Sequence, residues 1–411
     1  MRFSIVKEQQ ISQLDEELFS LFNFHDYAFM PTNLENLKNM IETKQFDGFY
    51  IDVPYQKDIS PYLDVLNTKI VDTIIQRNNQ YYGYNALYKS LEQILNQHKV
   101  ILKDKKILII GNTPQTYTVK KLMQDLHAGE INIVDESLSD DTISYIECYA
   151  KHLDSEVVIN ASYIGMNPNI DQEAIDLNLF SKCDLFIDLV ADPIITKMGL
   201  VAKERNINYI SGLEIRVSQI KRMVELFKNI EISNQVCDDI FKKILIKRSN
   251  VVLIGMPSCG KSTIGKILEK KLNKKFIDMD EVIVQNTNVS IPEIFNRSGE
   301  AGFRKLETIT SKELSKENGL IIGTGGGTIK NKINIDYLKL NGIIIFIDRD
   351  LENLITYDPN RPLSSSQEAV KKLYMERYPL YKKYASFIVN NNGCIDECVD
   401  NIIKAFHNIK K

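Results

Sequence analysis

The segment VVLIGMPSCGKST, Val251 to Thr263, constrains this chain more than any other. An apolar run leads into Gly255, and the GxxxxGKS pattern is followed by Ile264, Ile267, Leu268 and Leu272, spaced for one helix face. Strand, glycine loop and helix in that order form the setting in which backbone N–H groups close round phosphates. Gly255 and Gly260 let the loop close, and Ser258, Cys259, Gly260, Lys261, Ser262 and Thr263 make up the expected nucleotide cradle. Lys261 is expected to reach the terminal phosphates, and the Ser262 hydroxyl to ligate a bridging magnesium ion. The alternative, a chance glycine-rich turn, does not explain the periodicities on either side.

Such a cradle serves hydrolases, motors and small-molecule kinases alike, so the residues after it have to decide the chemistry. FIDMD, Phe276 to Asp280, ends a strand with Asp278 and Asp280 two residues apart, hence on one side, at the carboxyl edge where doubly wound sheets bind ligands. One carboxylate suits the metal and the other an acceptor hydroxyl; solvated turn residues are the alternative. SIPE, from Ser290, reads as a capping box, and GEAGFRKLE sets Arg304 and Glu307 at i, i+3, where they can pair and fix a guanidinium for a carboxylate. LIIGTGGG places Gly325, Gly326 and Gly327 after a strand, so that a ligand can lie against backbone. NRPLSSS carries Arg361 in a polar segment suited to a lid over the phosphates. In MERYPLYKKYA, Arg377 lies on a helix, projecting either inward to a second carboxylate contact or, as is commoner, into water.

GMPSCGKST, FIDMD, GEAGFRKLE, GTGGG, RPL and RYPLY stand in the order and at the spacings of shikimate kinases, and the chain resembles that family from Asn250 to Lys411. The resemblance implies transfer of the ATP γ-phosphoryl group to the 3-hydroxyl of shikimate, with ATP and Mg2+ as cofactors. It implies a fold similar to nucleoside monophosphate kinases, a five-stranded parallel sheet with a lid. Carried over by position, Asp280, Arg304, Arg377 and the glycines from Gly325 to Gly327 contact shikimate, with the arginines on its carboxylate. Asp280 orients the acceptor hydroxyl and is the candidate to take its proton; Ser262 and Asp278 lie around magnesium; Lys261 and Arg361 act on the phosphates. Many members carry a further arginine shortly before RPL, where this chain reads LITYDPN.

In the first half, KKILIIG, a helical stretch and INIVDES look like the opening βαβ of a dinucleotide-binding domain, with Asp135 placed for a ribose diol. The turn, however, reads GNTPQT: two glycines of the fingerprint are missing and Pro114 removes an N–H from the anion site. GFYIDVPYQK, VVINASYIGM, DLVADPIIT and GLEIRVSQ resemble, in order, segments of shikimate dehydrogenases, over roughly Met1 to Phe227. Those enzymes transfer a proton through a lysine and an aspartate, and the matching positions here are Gln56 and Leu87, neither of which can do so. Asp135 and Glu136 stand where an NADP 2′-phosphate would need positive charge. The family's two N-terminal serines become Gln10 and Ser12, while Asn85 and Gln219 persist at substrate-binding positions.

At 411 residues, two or three domains are expected. We assign an α/β architecture throughout, with parallel sheets and crossover helices. The expected division is a shikimate dehydrogenase-like domain at residues 1–240 (substrate lobe about 1–95, Rossmann-like lobe about 96–222), catalytically inactive, and a kinase domain at 246–411. The charged, helical segment from Met223 to Asn250 lies between them. A net charge of −3 without a long like-charged run gives no footprint for nucleic acid or a membrane surface. MRFSIVKEQQISQ has no signal-peptide core and no stretch suits a membrane span, so a cytoplasmic protein is expected. The six cysteines lack paired metal-site spacing and read as reduced thiols, Cys394 and Cys398 sharing a helix face as a structural pair. Two other readings of the first half remain: a working dehydrogenase in which Lys57 slips one place into the catalytic position, and a non-catalytic module that binds shikimate or docks enzymes of its pathway.

Overall fold

The computed structural model describes residues 2–7, 12–31, 33–51, 55–66, 68–354 and 367–409, which build three sheets in two units, Met1–Ile244 and Leu245–Lys411. The division falls inside the helix Asn234–Arg248. None of the described helices is long and apolar enough to cross a membrane.

The first sheet of the N-terminal unit contains β1 (Phe3–Lys7), β2 (Tyr27–Pro31), β3 (Gly48–Ile51), β4 (Val65–Leu66), β5 (Thr73–Arg77) and β6 (Gln80–Tyr84), in the order β2-β1-β3-β5-β6-β4. It departs from the all-parallel expectation, because β5 runs antiparallel to both β3 and β6. Asn78 and Asn79, at φ 48° and 62°, close the β5–β6 connection as a two-residue hairpin, and asparagine is the non-glycine residue that best tolerates that conformation. The second sheet holds β7 (Ile107–Ile110), β8 (Ile131–Val134), β9 (Val157–Asn160), β10 (Leu185–Asp188) and β11 (Asn208–Ile210), all parallel, in the order β11-β10-β9-β7-β8. Every residue of β7, β9 and β10 is buried, as it must be in strands covered on both faces. The helix Gly212–Lys228 then returns to the first lobe, where Phe227 stacks on Phe3 at 4.4 Å between ring centres.

The C-terminal unit is built on β12 (Asn250–Ile254), β13 (Phe276–Asp278), β14 (Ile321–Gly323), β15 (Gly342–Asp348) and β16 (Phe387–Asn390), in the order β13-β14-β12-β15-β16. All pairs are parallel, which is the doubly wound sheet expected of a phosphate-loop fold. β12 is central and wholly buried. Register aligns Leu253 with Gly323, and Gly323 with Asp278. The carboxyl ends of β12, β14 and β13 therefore stand side by side, and the loops that leave them share one site.

Candidate active site

The loop after β12 turns through Gly255, Ser258 and Gly260, whose φ angles are 150°, 65° and 102°, and opens the helix Lys261–Leu272. The first N–H groups of that helix have no intrahelical acceptor and face an anion site. Lys261 folds back over the loop and donates to the carbonyls of Gly255 and Met256, both at 2.9 Å. Ser262 donates its hydroxyl to Asp278 Oδ2 at 2.9 Å, which sets two hard oxygen ligands side by side, as magnesium requires. The donor set thus fits a magnesium–nucleotide. Cys259 departs from its expected place in the cradle: its thiol is buried and its N–H is spent on the Met256 carbonyl.

A cavity of about 370 Å³ opens from the cradle and is lined by Ser258, Gly260, Lys261, Ser262, Thr263, Asp278, Asp280, Arg304, Gly325, Gly326, Gly327 and Arg377. Neither Gly255 nor Cys259 lines it. Arg361 lies outside the described residues, as does most of LITYDPN. The pair Asp278 and Asp280 is not a strand pair after all. β13 ends at Asp278, which caps the helix Met279–Thr287 by accepting the Asp280 N–H at 3.0 Å, so Asp280 enters the cavity from the first helical turn.

The segment Ile291–Leu314 is broken at Gly299 (φ 65°), and on the helix after the break Arg304 is held by Glu300, 2.8 Å from Nη2, and by Glu307, which is 1% exposed. Burial opposes the charge on Arg304, but the two carboxylates outweigh it and raise its pKa. Glu307 also accepts the Thr328 hydroxyl at 2.8 Å, tying the arginine to the glycine loop after β14. That loop passes so close to its neighbours that a Cβ on Gly326 would sit 2.9 Å from Pro257, and one on Gly327 would collide with the Arg304 guanidinium. Arg377 is 2% exposed, and its Nε and Nη2 have no hydrogen-bond partner among the described residues. A buried guanidinium so placed is expensive unless something binds it.

Some residues of the cavity wall escape the sequence reading. Phe295 and Phe303 form an apolar wall of the cavity, their rings 5.0 Å apart. Ile291 and Phe295, at i, i+4 after the Ser290 cap, carry the signal for one inward helix face.

In the N-terminal unit the corresponding polar residues are consumed internally. Arg216 makes a two-pronged pair with Asp15, Nε–Oδ1 and Nη2–Oδ2 both at 2.7 Å, and its Nη1 donates to Tyr50 Oη at 2.5 Å and Gln219 Oε1 at 2.8 Å. Gln219 in turn donates to Asp72, whose carboxylate also accepts the N–H groups of Ala86 and Leu87. Burial raises the pKa of Asp72 against the pull of those bonds. Asn85 caps the helix Ala86–Gln97 and donates to Ile70 O and Thr118 Oγ1, both at 2.9 Å. Gln56 is buried on the Ile51 carbonyl, Leu87 is buried, and the exposed Lys57 lies over the Tyr117 ring, 5.1 Å from its centre. Ser12 caps the helix Gln13–Leu21, and Gln10 lies outside the described residues. At the would-be cofactor turn, Thr113 and Thr116 form a reciprocal capping box on either side of Pro114, spending N–H groups that a pyrophosphate would need. Asp135 turns onto the Ser137 N–H and Glu136 is exposed.

Comparison with known proteins follows the same division. In structure the N-terminal unit is similar to shikimate dehydrogenase 1 from Peptoclostridium difficile, with a TM-score of 0.51 and 23% identity over 59% of this chain and 97% of that one. It is likewise similar to a chorismate mutase/shikimate 5-dehydrogenase fusion protein from Clostridium acetobutylicum, with a TM-score of 0.53 and 22% identity over 59% of this chain and 96% of that one. These likenesses show a shikimate dehydrogenase-like fold. The shikimate kinase family model matches residues 257–407. A shikimate kinase of Clostridium botulinum (strain Eklund 17B / Type B) is 47% identical over 164 residues, which is 39% of this chain and 99% of that protein. Through its C-terminal unit, the chain belongs to the shikimate kinase family.

Proposed function

We propose that the segment from residue 246 to 411 transfers the terminal phosphoryl group of ATP to the 3-hydroxyl of shikimate. The observation that carries this reading is Arg377, a buried guanidinium with two nitrogens unbonded among the described residues, opening on the same cavity as Lys261 and Asp280. A substrate carboxylate supplies what that group lacks. Arg304 adds a second positive charge once the carboxylate displaces Glu300, the more exposed of its two partners. With the carboxylate anchored there, the ring lies along Gly325 to Gly327 and its hydroxyl comes under Asp280, which orients it and takes its proton. Lys261 exchanges its two loop carbonyls for phosphate oxygens, and magnesium between Ser262 and Asp278 would neutralise the phosphate charge. The residues position and neutralise, and phosphoryl transfer needs little more. Arg361 is assigned to the phosphates on its RPL context alone. The test is shikimate-dependent ADP release, in which turnover that does not saturate with shikimate would remove the assignment.

The unit before it, residues 1–240, we read as catalytically silent. Proton transfer needs a titratable group where Gln56 and Leu87 stand, and dinucleotide binding needs the N–H groups that Thr113 and Thr116 consume. Absorbance of NADPH should stay flat with shikimate present, and steady oxidation or reduction of the dinucleotide would overturn this half of the reading.

A further inference from the structure

The glycine loop after β14 is fastened at both ends by threonines. Thr324 bonds to the Leu253 carbonyl through its N–H and its hydroxyl, both at 3.1 Å, and Thr328 bonds to Glu307. Its middle is held differently. The Tyr381 hydroxyl donates to the Gly326 carbonyl at 2.5 Å. Tyr381 is fully buried, and its ring stacks on Phe346 of β15 at 5.0 Å and 17°. Burial raises the pKa of the phenol, so it stays a neutral donor at any working pH.

Tyr381 lies one helical turn after Arg377, on the same face of the helix Gln367–Tyr384. Between them stands Pro379, which cannot donate to the Met375 carbonyl, so the turn that carries Arg377 lacks one bond of its own helix ladder. Side chains fix that turn against the substrate loop: Glu376 pairs with Lys330 beyond the loop's end at 3.1 Å, and Tyr381 reaches the loop's middle.

We propose that Tyr381 is a positioning residue for the acceptor: its phenol holds the Gly326 carbonyl and so sets the spacing between the glycine loop and the Arg377 guanidinium, into which a ring bearing a carboxylate must fit. The proposal rests on the reading of this cavity as a shikimate site. It predicts a defect in acceptor binding and not in the nucleotide cradle, since Tyr381 bonds to neither Lys261 nor Ser262.

The experiment compares the full-length protein with its Tyr381→Phe variant, which keeps the ring and its stacking on Phe346 and removes one hydroxyl. Steady-state ADP release should show KM for shikimate raised about tenfold, the value of one ordinary hydrogen bond. kcat should stay within about threefold and KM for ATP should not move; thermal unfolding should shift by no more than a few degrees. An unchanged KM for shikimate overturns the proposal, as does a fall in kcat accompanied by a matching rise in KM for ATP, which would mark a general loss of structure. If wild-type protein releases no ADP in response to shikimate, the underlying reading fails with it. A saturable wild type beside an unaltered variant sinks the proposal alone.

Discussion

Each unit sets an arginine well into its interior, Arg216 partly and Arg377 fully buried, and the two arginines are treated in opposite ways. Arg216 is bound on both prongs by Asp15, with Tyr50 and Gln219 on the remaining nitrogen. Arg377 is the more deeply buried of the two, yet Nε and Nη2 find no partner among the described residues. One unit has spent its polar groups on itself, and the other holds a charge in reserve. A ligand site costs stability because it must leave strong groups unsatisfied until the ligand arrives.

The largest expected effects lie on the reserved side. Lys261→Ala and Asp280→Asn should each lower kcat by about 10²- to 10³-fold or more, on the scale of removing one electrostatic contact to a transition state. Unfolding midpoints should hardly change, because both side chains line a cavity. Full activity in Asp280→Asn would remove that carboxylate from the acceptor site.

Replacing each arginine by methionine sharpens the contrast. Arg377→Met should raise KM for shikimate by about 10²-fold through loss of a charge-assisted contact, while leaving the C-terminal unit as stable or more stable, since an unsatisfied buried charge is gone. Arg216→Met should do the reverse. It removes both guanidinium bonds from buried Asp15, costing the N-terminal unit about 3–5 kcal/mol in denaturant unfolding, with ADP release unaffected. If Arg377→Met proved as destabilising as Arg216→Met, the idea of a charge held in reserve would fail.

What the sequence disclosed divides along the same line. GMPSCGKST, GEAGFRKLE and GTGGG could be read directly because a phosphate cradle and a close backbone approach each admit few residue types, so spacing alone names the site. Tyr381 was not legible, since a tyrosine in a helix announces neither its burial nor the Gly326 carbonyl it meets 55 positions away. FIDMD reads as a strand to Asp280, but β13 stops two residues earlier, because the Asp278 cap on the next helix competes with strand pairing. In the first half, Gln56 and Leu87 carry the proposal of a silent unit and can be read from the sequence directly. The Asp15–Arg216 pair spans 201 positions and leaves no local pattern. The antiparallel hairpin had a signal, QRNNQ, that the alternation of strands and helices obscured.

A smaller effect tests how fully the N-terminal unit has satisfied itself. Asp188 is buried at the end of β10, bonded to Thr196, Val190 and Asn160, and burial pushes its carboxyl up from 3.8 to about 6. Because the folded pKa is the higher one, the native state holds the proton more tightly than the unfolded chain. Stability is therefore greatest below the unfolded value and falls as pH rises through the window from 3.8 to about 6, by about 3 kcal/mol in all. Asp188→Asn should flatten that slope in unfolding measured between those pH values, leaving the part that buried Asp72 contributes with the same sign, and a slope unchanged in the variant would assign it to other groups.

The smallest effect concerns Lys57, the amine nearest the position where a dehydrogenase would keep its own. It is exposed and rests on the face of Tyr117, while Gln56 beside it points into the unit and bonds to the Ile51 carbonyl. For Lys57 to serve as the proton carrier, the chain would have to slip by one residue, pulling the Gln56 amide out of its buried bond and the ammonium off its aromatic platform. Neither move is compensated, since the carboxylate partner has become Leu87, buried in the helix face it helps to pack. Lys57→Ala should thus cost the N-terminal unit no more than about 0.5–1 kcal/mol, the worth of an exposed cation–π contact. NADPH absorbance with shikimate should be equally flat before and after the substitution. Turnover in the wild type that disappears with Lys57→Ala would reverse the comparison, because the unit that looks spent would then have kept its reserve in an exposed lysine.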